Sequence, residues 1–557
     1  MHRFQLMRSV LHFAAGAALA AAVAAVSLAS PASAASAAAA AAGADRSLLP
    51  PPCRMQEPDR EAKLDAVREF RRYFRKAKQE SLQVEAVMTL EGNECREAAE
   101  TLIGLLGHKV QPVRDAALGV LQTYQRQETF QQLIDELPKQ RDATVAAVSI
   151  MVLGGSRIRA AVPAIEQAAG ADGAATAVRY QAARALMAIG DAGTMGLFGK
   201  LLADADSLVR MAAADGVAAL KLKELAEPTT ALLTDPDWRV KTAAVEACAQ
   251  IRPQAAVQPM IDLMREEGRL RTECADALFR ITGLDFGVDP ERWQEQWTKL
   301  MGIEGWRIPT DEELAKKAAS RKKYEAFYGK KEQTNAFVGI PTTSTNVLFV
   351  IDVSGSMDDL VVEVDKFREY RDRRRFTIVQ TELLNTIDTL SKNTNFNIVS
   401  FATDLKPWKK RLVPANVVNR DSAKAFVKRL KPIGGSEAQD LAQIGLGGSA
   451  NLAAGKTNTL KALLYGFGID PKKPRRGPIT GFDKKSLKRP LDTIYFLSDG
   501  RPSVGVRIET DEILAEVRKH NEMFRIVIHA IAIGDFPKEF LEQLADENGG
   551  VFVDLGR

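Results

Sequence analysis

A short phrase of small residues recurs along the middle of this chain at a nearly constant spacing. One copy reads Val113-Arg114-Asp115-Ala116-Ala117, with a basic residue after the aliphatic one. The copies begin about 30 to 33 residues apart, at Val113, Val145, Val178, Val209, Val240 and Leu270. A fixed period of this length is typical of stacked helical repeats, which bury a core only by packing on their neighbours. The recurrence therefore predicts an α-solenoid over residues 59–302.

Each repeat is expected to contain two helices. A helix of small residues leads through a short turn, such as Ile189-Gly190-Asp191, into a leucine-rich helix such as Met195–Leu202. Alanine at the contacts lets neighbouring helices approach closely, and a stack of such units presents one long curved surface that suits protein binding. Trp293 and Trp297 are expected to cap the stack, and an aromatic binding patch is the alternative.

Apolar, β-branched runs alternate with helical patterns in the last third of the chain. This alternation predicts a mostly parallel sheet with helices on both faces, which is a doubly wound, Rossmann-like α/β domain. In such sheets ligands bind outside the carboxyl ends of the strands, where the strand order switches. The whole chain is thus expected to be multidomain. The expected strands cover residues 347–351, 397–401, 494–499, 526–533 and 551–553, and the expected helices cover 379–390, 423–430, 460–467, 512–522 and 537–545.

Two of these strands end in groups that suit a hard cation. The first runs into Asp352-Val353-Ser354-Gly355-Ser356, which places one carboxylate and two hydroxyls at alternate positions around a glycine turn. The other ends in Ser498-Asp499-Gly500. Mg²⁺ takes six oxygen ligands at about 2.1 Å and keeps several of them as water. Because parallel strands share one carboxyl edge, one ion is expected to reach both strand ends.

These residues resemble the metal-ion-dependent adhesion site of von Willebrand factor type A domains, and the resemblance extends over residues 345–557. The family pattern is DxSxS, a loop threonine, and an aspartate in a Ser/Thr-Asp-Gly turn. The resemblance implies an open coordination position on the ion, filled by an acidic residue of a partner protein. It also implies that Mg²⁺, or Mn²⁺ or Ca²⁺ in its place, is held directly or through water by Asp352, Ser354, Ser356, Thr457 and Asp499.

The helical repeats resemble the short bacterial HEAT repeats that also occur in phycobilisome-lyase-like proteins. Lyase activity does not follow from this likeness, since no residues that would handle a chromophore are identifiable in the repeats. The implied role is protein binding on the repeat surface.

The loop that carries the threonine departs from the family pattern. Thr457 follows Gly455-Lys456, where the family usually has two glycines, and it is preferred to Thr459 because Thr459 belongs to the following helix. Two inserts rich in Lys and Arg, residues 358–376 and 471–490, lie near metal-site loops in sequence. They form either a basic rim that favours an acidic partner or ordinary solvated loops.

Nucleotide binding and nucleophilic catalysis find little support in the sequence. A phosphate-binding P-loop ending at Gly455-Lys456-Thr457 would need a glycine where Ala450 stands. Ser354 as a nucleophile would need a positioned base. After removal of a leader the remaining histidines are His108, His520 and His529. His108 lies outside the α/β domain, His520 is expected at a helix end and His529 in a strand. We therefore expect a binding protein rather than an enzyme, with a metal-dependent hydrolase and a purely structural envelope scaffold as alternatives.

The N-terminus predicts export. Arg3 and Arg8 precede a long apolar stretch that leads to a small-x-small cleavage site at Ala32-Ser33-Ala34. Residues 1–34 are thus expected to be a signal peptide, and residues 35–58 an Ala/Pro-rich flexible leader. The mature protein is expected to be periplasmic or extracellular in a bacterium, with no membrane span. An uncleaved N-terminal anchor is the alternative.

The charge of the chain does not favour a nucleic-acid partner. The formal net charge of +5 falls to +3 when the two arginines of the signal peptide are removed. This is near neutral for a chain of this length, so no electrostatic attraction to nucleic acid is indicated. The expected partners are a protein that supplies an acidic residue to the metal and a second protein on the helical-repeat surface.

Two further expectations concern the linker between the domains and the four cysteines. Residues 303–344 are expected to form a charged linker that couples the two domains only loosely. Cys248 and Cys274 fall in successive repeats and are the best candidates for a disulfide, but they could equally be small buried residues. The four cysteines of the chain are Cys53, Cys95, Cys248 and Cys274.

Overall fold

The computed structural model divides the chain into two units, residues 1–62 and 63–557. The expected signal peptide, the leader up to residue 56 and Cys53 lie outside the described residues. No helix in the described part of the chain is both long enough and apolar enough to span a bilayer. The structure describes residues 57–266, 268–328, 336–341, 343–361, 367, 370, 372–434, 455–470, 489–534 and 538–555.

The regular structure of the described residues before position 329 is entirely helical, which confirms the predicted α-solenoid. Helices up to α15 are called the helical array below. The helices are α1 Glu57–Lys76, α2 Glu80–Met88, α3 Arg96–Leu105, α4 Gln111–Thr123, α5 Gln127–Glu136, α6 Ala143–Gly155, α7 Val162–Gly170, α8 Thr176–Ile189, α9 Met195–Leu202, α10 Ser207–Leu220, α11 Ala226–Ala231, α12 Trp238–Ile251, α13 Val257–Leu263, α14 Leu270–Thr282, α15 Pro290–Met301 and α16 Asp311–Tyr328.

The basic residue of the recurring phrase forms an ion pair with the turn that leads into the next repeat. This residue reaches the acidic residue 25 positions later in three successive repeats, so that each repeat is tied to the turn before the next one. Buried alanines of α8, α10 and α12 form the contacts between the repeats. The pairs are Arg179 with Asp204 at 2.6 Å, Arg210 with Asp235 at 2.7 Å and Lys241 with Glu266 at 2.9 Å.

Both tryptophans of α15 are buried, as a cap on the hydrophobic core of the array requires. Trp293 and Trp297 are only 1% and 7% exposed. Trp293 packs edge-on against Phe286, and Trp297 packs edge-on against Trp306. An exposed aromatic binding patch at these two residues is therefore excluded.

Cysteines in the described residues serve as packing residues. Cys95, Cys248 and Cys274 are buried and free. Burial raises the pKa of Cys248 to about 12 and also raises the pKa of Cys274. Of the two possibilities for Cys248 and Cys274, the structure shows small buried thiols rather than a disulfide.

A mostly parallel sheet follows the array, with five further helices among the residues that the structure describes there, which confirms the predicted α/β domain. The sheet order is β5-β4-β3-β7-β8-β9, with β6 pairing antiparallel to β4. The strands are β1 Ala336–Phe337, β2 Ile340–Pro341, β3 Asn346–Asp352, β4 Asn395–Phe401, β5 Leu405–Pro407, β6 Val413–Pro414, β7 Thr493–Ser498, β8 Val527–Ala532 and β9 Phe552–Asp554, and the helices are α17 Arg375–Thr389, α18 Val417–Lys428, α19 Thr459–Gly466, α20 Thr510–Phe524 and α21 Glu539–Glu547.

The switch in strand order falls between β3 and β7. The chain passes from β3 to the parallel strand β4 on one side and later returns as β7 on the other side. Six of the seven residues of β3 are buried, as are all residues of β7, because both strands lie in the middle of the sheet. The carboxyl ends of β3 and β7 therefore border the crevice where doubly wound sheets bind ligands.

The expectation of loosely coupled domains is wrong. Arg269, in the turn before α14, donates hydrogen bonds to the backbone carbonyl oxygens of Asp492 and Arg525 in the α/β domain. Helix α16 in the linker is also tied to the array, since the carboxylate of Asp311 accepts a hydrogen bond from Arg252 at 2.7 Å. The charged composition of the linker could not reveal these contacts, because they are made by residues outside it.

Candidate metal centre

The first half of the site is built at the end of β3. The apolar strand ends at Asp352, which is fully buried, and the chain then turns sharply through a 3₁₀ turn, Gly355–Asp358. One carboxylate oxygen of Asp352 accepts the backbone N–H of Ser354 at 2.8 Å. The other accepts the hydroxyl of Ser498, the last residue of β7, at 2.6 Å. The carboxylate of Asp352 therefore joins the two central strands.

Hydroxyl and carboxylate oxygens from both strand ends form one hydrogen-bonded chain. The hydroxyl oxygens of Ser354 and Ser356 lie 3.3 Å apart. The hydroxyl of Ser356 donates to Oδ1 of Asp499 at 2.9 Å. Two ligands at right angles on an ion with 2.1 Å bonds would be about 3.0 Å apart. The spacing and the chemistry of these oxygens thus fit a small hard cation such as Mg²⁺.

The two aspartates of the site are buried, and burial disfavours the charged form of a carboxylate. Burial, together with the nearby charge of Asp499, raises the pKa of Asp352 to about 7. Burial also raises the pKa of Asp499, although hydrogen bonds from Arg375 and Ser356 act in the opposite direction. Carboxylates in this state are stabilised by a bound cation, whose charge reverses the effect of burial.

Thr457 lies at the same edge of the sheet. The backbone N–H of the next residue, Asn458, donates to the carbonyl oxygen of Ala402, directly beyond β4, at 3.0 Å. The backbone of Thr457 also bonds in both directions with Ser503, a residue of the loop that follows Asp499, at 2.9 Å and 3.0 Å. Thr457 is buried, and its loop links the ends of β4 and β7.

Two glycines allow this loop and the DxSxS turn to pack against one segment. A Cβ on Gly355 would lie 2.6 Å from the carbonyl oxygen of Gly434, and a Cβ on Gly455 would lie 2.1 Å from the carbonyl oxygen of Ile433. Both contacts are too short for any side chain. The segment Ile433–Gly434 therefore lies between the Ser354 turn and the Thr457 loop, and it holds the two parts of the candidate site together.

Arg375 is a component of the site that the sequence did not reveal as one. Its guanidinium donates to Oδ2 of Asp499 at 3.0 Å and to the backbone carbonyl oxygen of Ser356 at 3.4 Å. It also lies 3.9 Å from the carboxylate of Asp359. Arg375 begins α17 and belongs in sequence to a basic insert, so only the fold places it beside Asp499.

The described part of the first insert does not form a free basic rim. Arg374 pairs with the carboxylate of Asp358 at 3.0 Å, and Arg375 is directed inward to Asp499. Most of the second insert, residues 471–488, lies outside the described residues. For the first insert, two of the arginines are thus committed to acidic groups near the metal site.

The histidines are engaged away from Ser354. His529 accepts a hydrogen bond from the backbone N–H of Val551, and His520 is bonded to Glu516. His108 accepts from the backbone N–H of Val110 in the helical array. In the part of the chain that the structure describes, no group of three or more His, Cys, Asp or Glu side chains could hold a metal ion. A cation in the candidate site would thus depend on hydroxyl ligands.

Comparison with known families identifies the class of both domains. Residues 345–444 and 478–554 match the family model of the von Willebrand factor type A domain, and residues 194–278 match the model of HEAT repeats. The chain therefore contains HEAT repeats followed by a von Willebrand factor type A domain, and this domain indicates a protein-interaction scaffold. The stretch 445–477, which contains Thr457, lies outside the matched residues.

Individual relatives resemble part of the chain. Inter-alpha-trypsin inhibitor heavy chain H1 of Mesocricetus auratus is 28% identical over 227 residues, which are 40% of this chain and 19% of that protein. Heavy chain H4 of Homo sapiens is 28% identical over 216 residues, 38% of this chain and 18% of that protein. The chain thus spans about a fifth of the length of these relatives.

A solved structure of an aerotolerance-related membrane protein from Bacteroides fragilis is similar to 38% of this chain and 92% of its own chain. The identity is 14% and the TM-score is 0.24, which is too low to carry an argument.

Proposed function

We propose that this chain is a non-catalytic, exported bacterial protein that binds an acidic group of a partner protein through a divalent ion. The ion is Mg²⁺, or Mn²⁺ or Ca²⁺, and the residues that would hold it are Asp352, Ser354, Ser356, Thr457 and Asp499. The observation that carries the proposal is the hydrogen-bonded chain of Ser354, Ser356 and Asp499 oxygens at the switch point of the sheet. A bound ion supplies an electrophilic coordination position for a carboxylate of the partner.

The charges around the site favour an anionic partner group. The carboxylates of Asp352 and Asp499 carry two negative charges when ionised, and the guanidinium of Arg375 carries one positive charge 3.0 Å from Asp499. The three groups together hold a net charge of −1, so a divalent ion brings the site to +1. One carboxylate from a partner would then neutralise these three groups and the ion, with the half-exposed carboxylate of Asp359 left out of the sum.

Hydrolysis is a weaker candidate because none of the described histidines lies at the site to act as a base. The hydroxyl of Ser354 is hydrogen-bonded to that of Ser356, and the histidines His520 and His529 are bonded to Glu516 and to the backbone of Val551. Hydroxyl ligands leave an ion electrophilic, but an attacking water would still need a group that takes its proton.

The proposal of export is supported by the expected signal peptide in residues 1–34.

Capture from an envelope extract tests the proposed function. The full chain is immobilised and exposed to the extract with Mg²⁺ and with EDTA, and the same is done with Asp352→Ala. Asp359→Asn is the matched control, since Asp359 is a half-exposed carboxylate near the site that is not an expected ligand. Capture that is lost with EDTA and with Asp352→Ala but kept with Asp359→Asn supports the proposal. Capture without metal dependence supports a structural scaffold, and turnover without stable capture supports a hydrolase.

A further inference from the structure

The helical array contacts the α/β domain along several successive helices. Helices α8, α10, α12 and α14, together with Arg269 directly before α14, are called the docking face. These are the small-residue helices of successive repeats. Together with α20, the start of β8 and the turn after α21, they line a cleft of about 570 Å³. The cleft contains charged side chains of both signs from both domains, among them Asp215 and Glu273 of the array and Glu522 and Arg525 of the α/β domain.

Arg269 is the most buried charged contact between the two domains. Its guanidinium lies over the ring of Trp238, 5.0 Å from the ring centre, and forms an ion pair with Glu273 at 2.8 Å. From this position it donates to the carbonyl oxygen of Asp492 at 3.0 Å and to that of Arg525 at 2.6 Å. These carbonyls belong to the residue before β7 and to the residue directly after α20. Because Trp238 and Glu273 fix the guanidinium within the array, its hydrogen bonds are aimed at the α/β domain before docking.

Two ion pairs surround this contact and alternate in sign. Arg184 of α8 pairs with Glu522 of α20 at 2.6 Å. Asp215 of α10 pairs with Arg525, which has a left-handed backbone with φ of 53°. Each domain thus contributes one arginine and one carboxylate, and all four side chains are less than two-fifths exposed. This alternation of charges specifies one orientation of the two domains, since a shift of one domain along the other would place like charges together.

The docked end of the sheet lies opposite to the candidate metal centre. Strand β7 begins next to the carbonyl of Asp492 that Arg269 holds, and it ends at Ser498 beside Asp499. Six residues of strand separate the two ends by about 20 Å. Helix α20 follows the loop that Ser503 ties to Thr457, and its far end carries Glu522 and Arg525. The same strand and helix therefore bear the metal site at one end and the docking contact at the other.

We propose that the docking face of the array is a dedicated binding surface for the α/β domain of the same chain. The array and the α/β domain then unfold as one unit, and the candidate metal centre lies at the end of the sheet opposite to the docking contact. A second protein on the array binds elsewhere than on the docking face. Only the readout with Mg²⁺ described below rests on the proposed function.

Charge exchange across the interface provides a sharp test with the full chain. Asp215→Arg places a third positive charge beside those of Arg184 and Arg525, whereas Asp215→Arg combined with Arg525→Asp restores the pairing with reversed signs. Aspartate tolerates the left-handed backbone at position 525. The matched control is Arg265→Ala, which removes an arginine whose ion pairs with Asp262 and Glu291 lie within the array.

Unfolding in urea is followed by hydrogen exchange and mass spectrometry, which report peptides of both domains in one sample. The expected result is coincident urea midpoints for both domains in the wild type and in Arg265→Ala, separate midpoints in Asp215→Arg, and coincidence regained in the double variant. Separate midpoints in the wild type, unchanged coincidence in Asp215→Arg, or a double variant no better than the single one would overturn the proposal.

Addition of Mg²⁺ separates this proposal from the proposed function. A bound ion stabilises whatever unfolds together with its site. We expect Mg²⁺ to raise the midpoints of both domains in the wild type, and that of the α/β domain alone in Asp215→Arg. A rise confined to the α/β domain in the wild type contradicts docking. If Mg²⁺ moves neither midpoint, the metal site is refuted, and the urea midpoints of the variants still decide whether the domains are docked.

Discussion

The guanidinium of Arg375 lies 3.0 Å from Oδ2 of Asp499, while Oδ1 of the same carboxylate accepts a hydrogen bond from Ser356. Arg375 thus fixes the orientation of the carboxylate and offsets one of the two negative charges of the site. The side chain of Asp499 is fully buried and that of Arg375 is 13% exposed, so solvent screens this pair only weakly.

Loss of this arginine is expected to have opposite effects on stability and on metal affinity. Arg375→Gln leaves the buried carboxylate of Asp499 without its cation, which should lower the free energy of unfolding in EDTA by about 3 kcal/mol. The more negative site should bind Mg²⁺ several times more tightly. Arg374→Gln, next to it, removes only the pair with Asp358 and serves as the control. Urea unfolding and calorimetric Mg²⁺ titration check both effects, and weaker Mg²⁺ binding in Arg375→Gln would contradict the charge argument.

Asp352→Asn tests whether Asp352 is a ligand or only a structural residue. An amide can still bond with the hydroxyl of Ser498 but carries no charge. We expect Mg²⁺ affinity to fall by at least about a hundredfold, since even indirect partners of a ligand cost up to that much. The metal-free variant should be more stable than the wild type at pH 8 by on the order of 1 to 3 kcal/mol, because burial raises the pKa of Asp352 to about 7.

Thermal unfolding with EDTA and with Mg²⁺ measures both parts of this prediction. Asp359→Asn is the control for loss of a carboxylate near the site. A stabilising effect of Mg²⁺ that persists in Asp352→Asn would show that the ion binds elsewhere.

The assignment of Thr457 is tested against its neighbour Thr459. Both threonines are buried, but Thr459 lies in α19, and its hydroxyl has no hydrogen-bond partner in the described structure. We expect Thr457→Ala to weaken Mg²⁺ binding about tenfold, Thr457→Ser to retain it, and Thr459→Val to leave it unchanged. The measurement is calorimetric titration, and equal effects of Thr457→Ala and Thr459→Val would refute the assignment.

A partly buried histidine is expected to make the protein less stable in mild acid. His529 stacks on Tyr495 at 4.8 Å between ring centres, and its Nδ1 accepts the backbone N–H of Val551 at 3.0 Å. Protonation of Nδ1 would place its N–H against the backbone N–H of Val551. Burial, together with the charge of Arg269, lowers the pKa of His529 to about 4. Between pH 6.5 and 4 the unfolded chain therefore binds more protons at this residue, so the stability falls as the pH falls.

His529→Phe keeps an aromatic ring but removes this titration. Relative to the wild type, it should lose less stability between pH 6.5 and 4.5, by on the order of 2 kcal/mol. Urea unfolding at the two pH values measures the difference. Identical pH dependence in the two proteins would show that His529 is not held neutral by the fold.

Local patterns were sufficient to predict the repeats and the central strands. The basic residue of the recurring phrase, such as Arg179, has its acidic partner at a fixed distance along the chain, so the spacing itself appears in the sequence. Strand β3 ends at Asp352 because its apolar run ends there. Short edge strands such as β5 and β6 escaped notice because each has only two or three residues and contains a proline.

Contacts between distant residues could not be derived from such patterns. Arg375 and Asp499 are 124 positions apart, and Arg269 lies 223 positions before Asp492. Each arginine stands among other charged residues that a sequence reader assigns to solvent. Only the parallel arrangement of β3 and β7, and the docking of the array on α20, bring these groups to their partners. The role of Arg375 and the coupling of the domains were therefore accessible from the structure alone.

Anomalous X-ray diffraction from crystals of the full chain soaked in Mn²⁺ tests the central claim most directly. The account predicts a single peak at the carboxyl edge of the sheet, about 2.0 to 2.3 Å from the hydroxyl oxygens of Ser354 and Ser356. No peak there, or a peak only at other carboxylates of the chain, would contradict the proposed binding site.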